Sequence, residues 1–498
     1  MNLDPIVLNT LLLTTITFLP MLGSIIVVLL PSSWDAKKLP HKFTLFFTIL
    51  TLGLSVLLAL LYNPSGGFQF IDKFSWIPNF DINYHLGVDG LSLPMVVLTT
   101  IIMFIACLAS WNITQRPRLY FFLFLVLETG ILGVFTSLDL VLFFIMWELE
   151  LIPMYFLIGV WGGPRREYAA IKFILYTVFG SALMLISFLA IYFTTQPHTF
   201  SIIELLKTHP FSGFPMHIKY LPFIGIFICF AIKLPMCPLH TWLPDAHVEA
   251  PTPISVILAG VLLKMGAYGI IRINFGLFPD VTKNFIIFIA IFGVINIIYG
   301  AFLTLAQDDM KRVIAYSSIS HMGFVFLGLS ALNPLGINGG ILQMFSHGLI
   351  TALLFLFVGI VYDRTHTRSI KELGGIVRKM PLATALFIAA SLAAVGAPGF
   401  SGFVSEFLVF LGAYQTHPSL TVIAATGIVL TAAYMLWLAQ RVCFGEMPAK
   451  WANLTDANGR EIFYLVVLLI IVLIIGVYPS VIMDIVNPAT MDLMRILG

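Results

Sequence analysis

Apolar runs of membrane-crossing length recur along the whole chain, separated by short stretches rich in Lys, Arg, Pro, Gly or Asn. A span needs about 20 consecutive, mostly apolar residues. That rule predicts fourteen spans, centred near residues 18, 53, 99, 126, 150, 180, 230, 263, 295, 322, 349, 397, 432 and 472. The runs near 150, 230, 263 and 397 contain charges or Pro/Gly breaks. An even number of spans puts both termini on one side. The remaining segments read as connections, the longest on the outer side being Asn63–Leu86 and Thr194–Lys219. Nothing after the fourteenth span reads as a further amphipathic arm. The pattern predicts an all-α polytopic membrane protein with no soluble domain.

Composition agrees. Of 498 residues, 59% are hydrophobic and 10% charged, and mean hydropathy is +1.00. A water-facing globule carries about 25% charged residues, so this chain cannot solvate the surface of one. A net charge of +2 without a basic block argues against nucleic acid as a partner. Cys107, Cys229, Cys237 and Cys443 lie in apolar runs without a CxxC and read as packed thiols, not disulfides or metal ligands. The first run, from Ile6 to Leu30, ends at Pro31 without a small-residue cleavage site, so no cleavable leader is expected. No glycine-rich nucleotide fingerprint follows a strand-like segment.

The basic residues orient the spans. Seventeen of the 26 Lys and Arg, among them Lys37, Arg116, Arg165, Lys311, Arg364, Lys379 and Arg460, fall in loops on one side. Six (Lys73, Lys207, Lys219, Arg272, Lys283 and Arg495) fall on the other, and three lie within spans. The excess marks the cytoplasmic side and places both termini opposite it.

Ionisable groups inside spans carry the chemistry, because each costs at least ~2.5–3.5 kcal/mol at the bilayer centre and needs a partner or a wet cavity. Span 4 has Glu128, span 5 Glu148 and Glu150, span 7 Lys233, span 8 Lys264, spans 10 and 11 His321 and His347, and span 12 Glu406. Glu148 and Glu150 point about 200° apart around a helix, so one faces the bundle interior and the other a neighbour. Spacing does not say which. Lys233 lies in Ala231-Ile-Lys-Leu-Pro-Met-Cys-Pro238, where Pro235 and Pro238 strip hydrogen bonds from the carbonyls of Ala231 and Leu234. Broken helices at membrane depth survive only when buried in protein or lining water, and they hold ion sites in transporters. Lys264 sits among glycines that allow close helix approach. Two buried lysines ~10 Å apart repel by roughly 1.7 kcal/mol at an effective dielectric of about 20, enough to couple their charge states. Gly396-Ala-Pro-Gly-Phe-Ser-Gly402 is a second break, followed by Glu406. Ser317 with His321, and Gln343 with His347 and Thr351, form i,i+4 stripes suited to a water chain. The alternatives are fixed ion pairs for Glu148 and Glu150, a snorkelling anchor for Lys233, a mere kink at Gly396–Gly402 and satisfied core histidines at His321 and His347; a scaffold with static pairs throughout would combine them. Glu128, with few polar neighbours, suits a structural pair as well as transport.

The two breaks are five spans apart, so spans 4–8 and 9–13 read as two units of opposite orientation, the inverted-repeat logic of secondary transporters. The expected divisions are residues 1–110, 111–274, 275–445 and 446–498.

These residues resemble a known family. Met146-Trp-Glu-Leu-Glu-Leu-Ile-Pro-Met-Tyr155 is similar to the fifth-helix motif of the antiporter-like membrane subunits of complex I, and Lys233-Leu-Pro-Met-Cys-Pro-Leu-His-Thr-Trp-Leu-Pro-Asp-Ala-His247 resembles that family's most specific signature. Ala250-Pro-Thr-Pro253, Lys264, Ser318-Ile-Ser-His-Met-Gly323 and Ser346-His-Gly348 agree, over essentially the whole chain. The resemblance implies a proton-translocating membrane-arm subunit of an NAD(P)H- or ferredoxin-quinone oxidoreductase. In it Glu148 and Lys233 form a switchable ion pair, Lys264 is the central relay, His321 and His347 lie on the polar axis, and Glu406 is the outlet. Glu406, where other members carry lysine, resembles the middle-type subunit (subunit 4, the D chain of photosynthetic complexes). Trp161-Gly-Gly-Pro-Arg-Arg-Glu-Tyr168 looks cyanobacterial or plastid, implying a thylakoid, or otherwise bacterial inner, membrane. No cofactor is implied in this chain; NAD(P)H or ferredoxin, iron–sulfur clusters and plastoquinone belong to other subunits. The partners implied are other membrane-arm subunits, including neighbouring antiporter-like ones, and the lipid bilayer. A CO2-uptake form of the photosynthetic complex and a multisubunit cation/proton antiporter remain the alternatives.

Overall fold

The computed structural model describes residues 5–35, 37–65, 67–208, 211 and 213–498. The helices follow the apolar runs: α1 (Pro5–Leu29), α2 (Leu39–Leu61), α3 (Leu93–Ala109), α4 (Pro117–Thr136), α5 (Leu140–Trp161) and α6 (Arg166–Thr194). Next come the short α7 (Ile202–Thr208), then α8 (Met216–Lys233) and α9 (Trp242–Glu249), and α10 (Thr252–Phe275). The chain continues with α11 (Pro279–Leu305), α12 (Met310–Ser330), α13 (Pro334–Thr365), α14 (Pro381–Val395), α15 (Ser401–Thr416), α16 (Pro418–Cys443), α17 (Gly459–Val477) and α18 (Ser480–Leu497). Among the described residues, thirteen helices are long and apolar enough to cross a membrane. The remaining expected span, near residue 397, is present as two halves, α14 and α15. The protein is an integral membrane protein.

Burial separates central helices from lipid-facing ones. The most apolar windows of α10 and α13 are 100% buried, against 33% for α2 and α17. Leu60, Leu221 and Val429 stand outward and exposed, as apolar side chains can in hydrocarbon, where lipid tails are as apolar as leucine.

Two segments differ from the sequence reading. The outer connection before α3, expected to be plain loop in an all-α chain, is an antiparallel hairpin of β1 (Gln69–Ile77) and β2 (Ile82–Val88). It turns through Asp81 in the left-handed region, φ 51°, a conformation aspartate tolerates better than most residues. Asp72 Oδ2 accepts hydrogen bonds from Thr14 N (3.1 Å) and Thr14 Oγ1 (2.5 Å), and Tyr84 OH donates to Thr14 Oγ1 (2.9 Å). The hairpin is thereby pinned to α1. The second correction is at the C-terminus, where the residues after the last span do form an amphipathic arm, α18. Ile482, Val486, Leu493 and Leu497 are buried along it while Val481 and Met491 are exposed. Pro488 lies inside the helix. The arm packs on Gly90, where a Cβ would lie 2.1 Å from the Ile485 carbonyl oxygen, so only glycine admits it.

The chain divides into two units, one of Met1–Leu234, Val261–Phe285 and Ile485–Gly498, the other of Pro235–Gly260 and Ile286–Asp484. Each contains the same backbone device. In the first, Leu140 N donates to Phe200 O and Ile202 N to Leu138 O, both 2.9 Å, ahead of α5; Asp139 caps that helix, accepting from Val141 N and Leu142 N. In the second, Met310 N donates to Arg368 O (3.0 Å) and Ile370 N to Asp308 O (2.8 Å) ahead of α12, and Asp309 caps it through Lys311 N and Arg312 N. A short strand-like bridge followed by an aspartate cap thus recurs at spans 5 and 10, and a broken helix at spans 7 and 12. In each case the two occurrences are five spans apart.

Candidate functional site

In the first unit the break of span 7 sets the geometry. α8 ends at Lys233, with Leu234 N still bonded to Phe230 O (2.8 Å), because Pro235 has no N–H with which to continue the helix. The lysine is left at a helix C-terminus, where the backbone dipole favours a cation. It is 1% exposed and donates to Glu150 Oε1, itself on a fully buried side chain of α5. Its Nζ lies 5.4 Å from the ring centre of Trp147 and 5.5 Å from that of Phe173, so aromatic faces supply further attraction to the charge. Glu150 Oε2 has no hydrogen-bond partner among the described residues.

The carboxylate that meets Lys233 is therefore Glu150, not the Glu148 that the family resemblance assigns. Two residues of helix turn Glu148 away, leaving it half-buried with its Oε1 buried and without a hydrogen bond among the described residues. Close approach of α4 selects the face: a Cβ on Gly130 would sit 3.0 Å from Glu150 N, so α4 lies against the Glu150 side of α5.

Lys264 is fully buried on α10, between two π-helical turns, Leu258–Leu262 and Ile270–Phe275. Such turns displace a side chain from regular helical register and concentrate at functional sites. Two residues on, a Cβ at Gly266 would meet Phe230 O at 2.6 Å and Leu234 N at 2.8 Å. Only glycine lets α10 approach the end of α8 so closely. Glu128 is fully buried and neither of its oxygens has a hydrogen-bond partner among the described residues, contrary to a structural ion pair.

In the second unit His321, His347 and Glu406 come together. His321 Nδ1 lies 3.4 Å from Glu406 Oε1, and the two imidazole rings are 5.5 Å apart. Tyr434 OH is 3.5 Å from His321 Nε2, and Ser405 Oγ donates to Gln343 Oε1. Ser317, His321, Gln343, His347, Thr351 and Glu406 line a cavity of about 10 Å³. That is about the space one water needs, and the lining supplies the polar partners it requires. Gly396 makes the break possible twice over: its φ is +79°, and a Cβ would stand 2.9 Å from Glu406 Oε2. The two i,i+4 stripes read from sequence both reach this cavity.

Several contributors had little or no sequence signal. Asn296 of α11 satisfies the interrupted seventh span, donating to Pro235 O (3.0 Å) and accepting from Cys237 N (2.8 Å); a lone Asn in an apolar run was the available hint. Lys311, counted among the loop charges, is 4% exposed and donates to Ala250 O (2.5 Å) and Ser255 Oγ (3.2 Å). With Arg368, which donates to Val248 O, it covers the carbonyl end of α9. Tyr434 and Ser405 had no spacing to reveal them.

Comparison with known proteins follows the same lines. Residues 137–431 match the family described as NADH:quinone oxidoreductase/Mrp antiporter, TM. NAD(P)H-quinone oxidoreductase chain 4 2 of Thermosynechococcus vestitus is 44% identical, over 94% of this chain and 89% of that protein. NADH-quinone oxidoreductase subunit M of Rhodobacter capsulatus is 42% identical over 97% and 96%. A chain of respiratory complex I from Thermus thermophilus with bound NADH superposes with a TM-score of 0.88 at 28% identity, covering 98% of this chain and all of that one.

Proposed function

The chain belongs to the NADH:quinone oxidoreductase/Mrp antiporter transmembrane family, and from that premise we propose that it carries protons through the membrane arm of an NAD(P)H-quinone oxidoreductase, driven by quinone reduction in other subunits. The relatives' names support the oxidoreductase assembly, and the cyanobacterial chain 4 proteins among them support a thylakoid or bacterial inner membrane. Nicotinamide or ferredoxin, iron–sulfur clusters and quinone are handled elsewhere in the complex.

The observation that carries this reading is the buried Glu150–Lys233 pair at an interrupted helix. Two charges withdrawn from water lose several kcal/mol of solvation each, and their attraction only roughly offsets that loss. Such a pair has little net stability and is easily tipped by another charge nearby. In the proposed sequence a proton arriving at Lys264 adds positive charge to α10, which packs against the end of α8 at Gly266; Lys233 and Glu150 change their sharing of charge, and protons move on by hydrogen-bonded steps. Glu148 is the more exposed second carboxylate of this helix. In the second unit His321, His347 and Glu406 pass a proton through the water-sized cavity, since imidazole both accepts and donates near neutral pH.

The test is donor-driven acidification of vesicles holding the assembled complex. Lys233→Ala is expected to abolish pumping while the complex still assembles; wild-type pumping in that variant would remove the proposal.

A further inference from the structure

α10 continues past Lys264 with a second polar stripe outside the proton series described above. Tyr268 and Arg272 follow at i+4 and i+8, about 6 and 12 Å farther along the helix axis, towards the side that the charge bias assigns as outer. Both are buried. Tyr268 OH donates to Phe135 O (3.1 Å) and accepts from Arg272 Nε (3.3 Å). Arg272 Nη2 donates to Asp89 Oδ1 (2.5 Å), which also accepts from Leu91 N and Ser92 N, both 3.1 Å. The guanidinium carbon lies 4.9 Å from the ring centre of Phe68 and 5.3 Å from that of Tyr268. Immediately beyond is a cavity of about 360 Å³ in the first unit, lined by Tyr62, Phe68, Asp89, Arg272, Asp492 and Arg495 among others. The stripe therefore leads from the buried lysine to a chamber large enough for many waters.

A conducting stripe needs groups that take up and release protons, and this one is closed at Tyr268 and Arg272. The phenol's single proton is committed to a backbone carbonyl and its oxygen is occupied by the guanidinium. Arginine does not deprotonate in proteins. Asp89 Oδ1 is held by three donors. The guanidinium, saturated by Tyr268 and Asp89, offers a travelling proton no acceptor between Lys264 and the cavity.

We propose that Arg272, locked by Asp89 and Tyr268, is the outer proton seal of the first unit, keeping a proton on Lys264 from escaping into the outer cavity. Arg272 and Asp89 are positioning residues that take no part in the transfer itself. The function of the α18 arm follows: seated on Gly90, it walls the cavity beside Asp89 and holds the lock in place.

This inference rests on Lys264 carrying protons, and one preparation separates the two ideas. Intact complex is placed in vesicles containing a pH dye, and proton influx under an imposed potassium-diffusion potential is followed without electron donor. Replacing both partners at once, Arg272→Met with Asp89→Asn, strands no buried charge and is expected to raise passive influx about tenfold. Adding Lys264→Ala returns influx to the unaltered level, which a general packing defect would not do. Arg272→Lys keeps a cation but loses the fork spanning Tyr268 and Asp89; it leaks about two- to threefold and serves if the double variant does not assemble. A proton-tight double variant, or a leak that survives Lys264→Ala, overturns the seal. So does a tight Arg272→Lys where the double variant fails to assemble. Donor-driven pumping by the unaltered complex in the same vesicles checks the underlying function separately, so pumping vesicles with a tight double variant refute the seal alone.

Discussion

Replacing Glu150 by glutamine keeps the shape of the side chain and removes its charge. Lys233, 1% exposed, is then left without the counter-charge it contacts. Removing one member of a buried ion pair costs ~3–5 kcal/mol, which is roughly two to nearly four powers of ten in any step that requires the ammonium. Pumping by Glu150→Gln is therefore expected to fall below detection while quinone reduction, measured in parallel, persists in uncoupled form. Glu148 is half-buried and makes no ion pair among the described residues, so Glu148→Gln is expected to cost no more than ~1 kcal/mol, as for a partly solvated charge, or less than about sixfold. The assay is dye-reported acidification of vesicles containing the assembled complex. Loss of pumping in Glu148→Gln with wild-type pumping in Glu150→Gln would refute the assignment and restore the partner that family resemblance suggests.

Three further outcomes are expected. Glu406→Gln removes the carboxylate 3.4 Å from His321 and should lower the pumping rate by about tenfold or more, as loss of a positioned proton-transfer group does, with Glu406→Asp recovering part of it; an unchanged rate would exclude Glu406 from the route. Gly396→Ala forces a Cβ into the left-handed region and within 2.9 Å of Glu406 Oε2, at a cost of about 1–3 kcal/mol, visible as a lower thermal midpoint of the complex together with reduced pumping. The third concerns His85 in β2, which burial, and then the Lys73 charge, hold down to about 4 from 6.5. Its neutral form is favoured on folding, so that contribution is complete above about pH 6.5 and is lost as pH falls towards 4, up to ~3 kcal/mol in all. The thermal midpoint should drop between pH 6.5 and 5, and His85→Gln should flatten the drop; identical slopes in both proteins would dismiss the effect.

How much of the chain its sequence determined follows from the range of the forces involved. Spans, breaks and the rarity of intramembrane charge are local properties: a run of apolar residues is long enough to cross lipid or it is not, and Pro235 or Gly396 interrupts a helix wherever that helix packs. The fourteen span positions, both broken helices and the polar stripes Ser317–His321 and Gln343–His347–Thr351 were legible for that reason. What tertiary structure alone decided are contacts between residues far apart in the chain. Glu150 meets Lys233 across 83 positions and Asp89 meets Arg272 across 183. A two-residue spacing says that Glu148 and Glu150 diverge, but the face that turns inward depends on where α4 can approach α5, and Gly130 sets that. The hairpin and the α18 arm were hidden by the same limit, since short amphipathic segments become stable only against a surface that folding supplies.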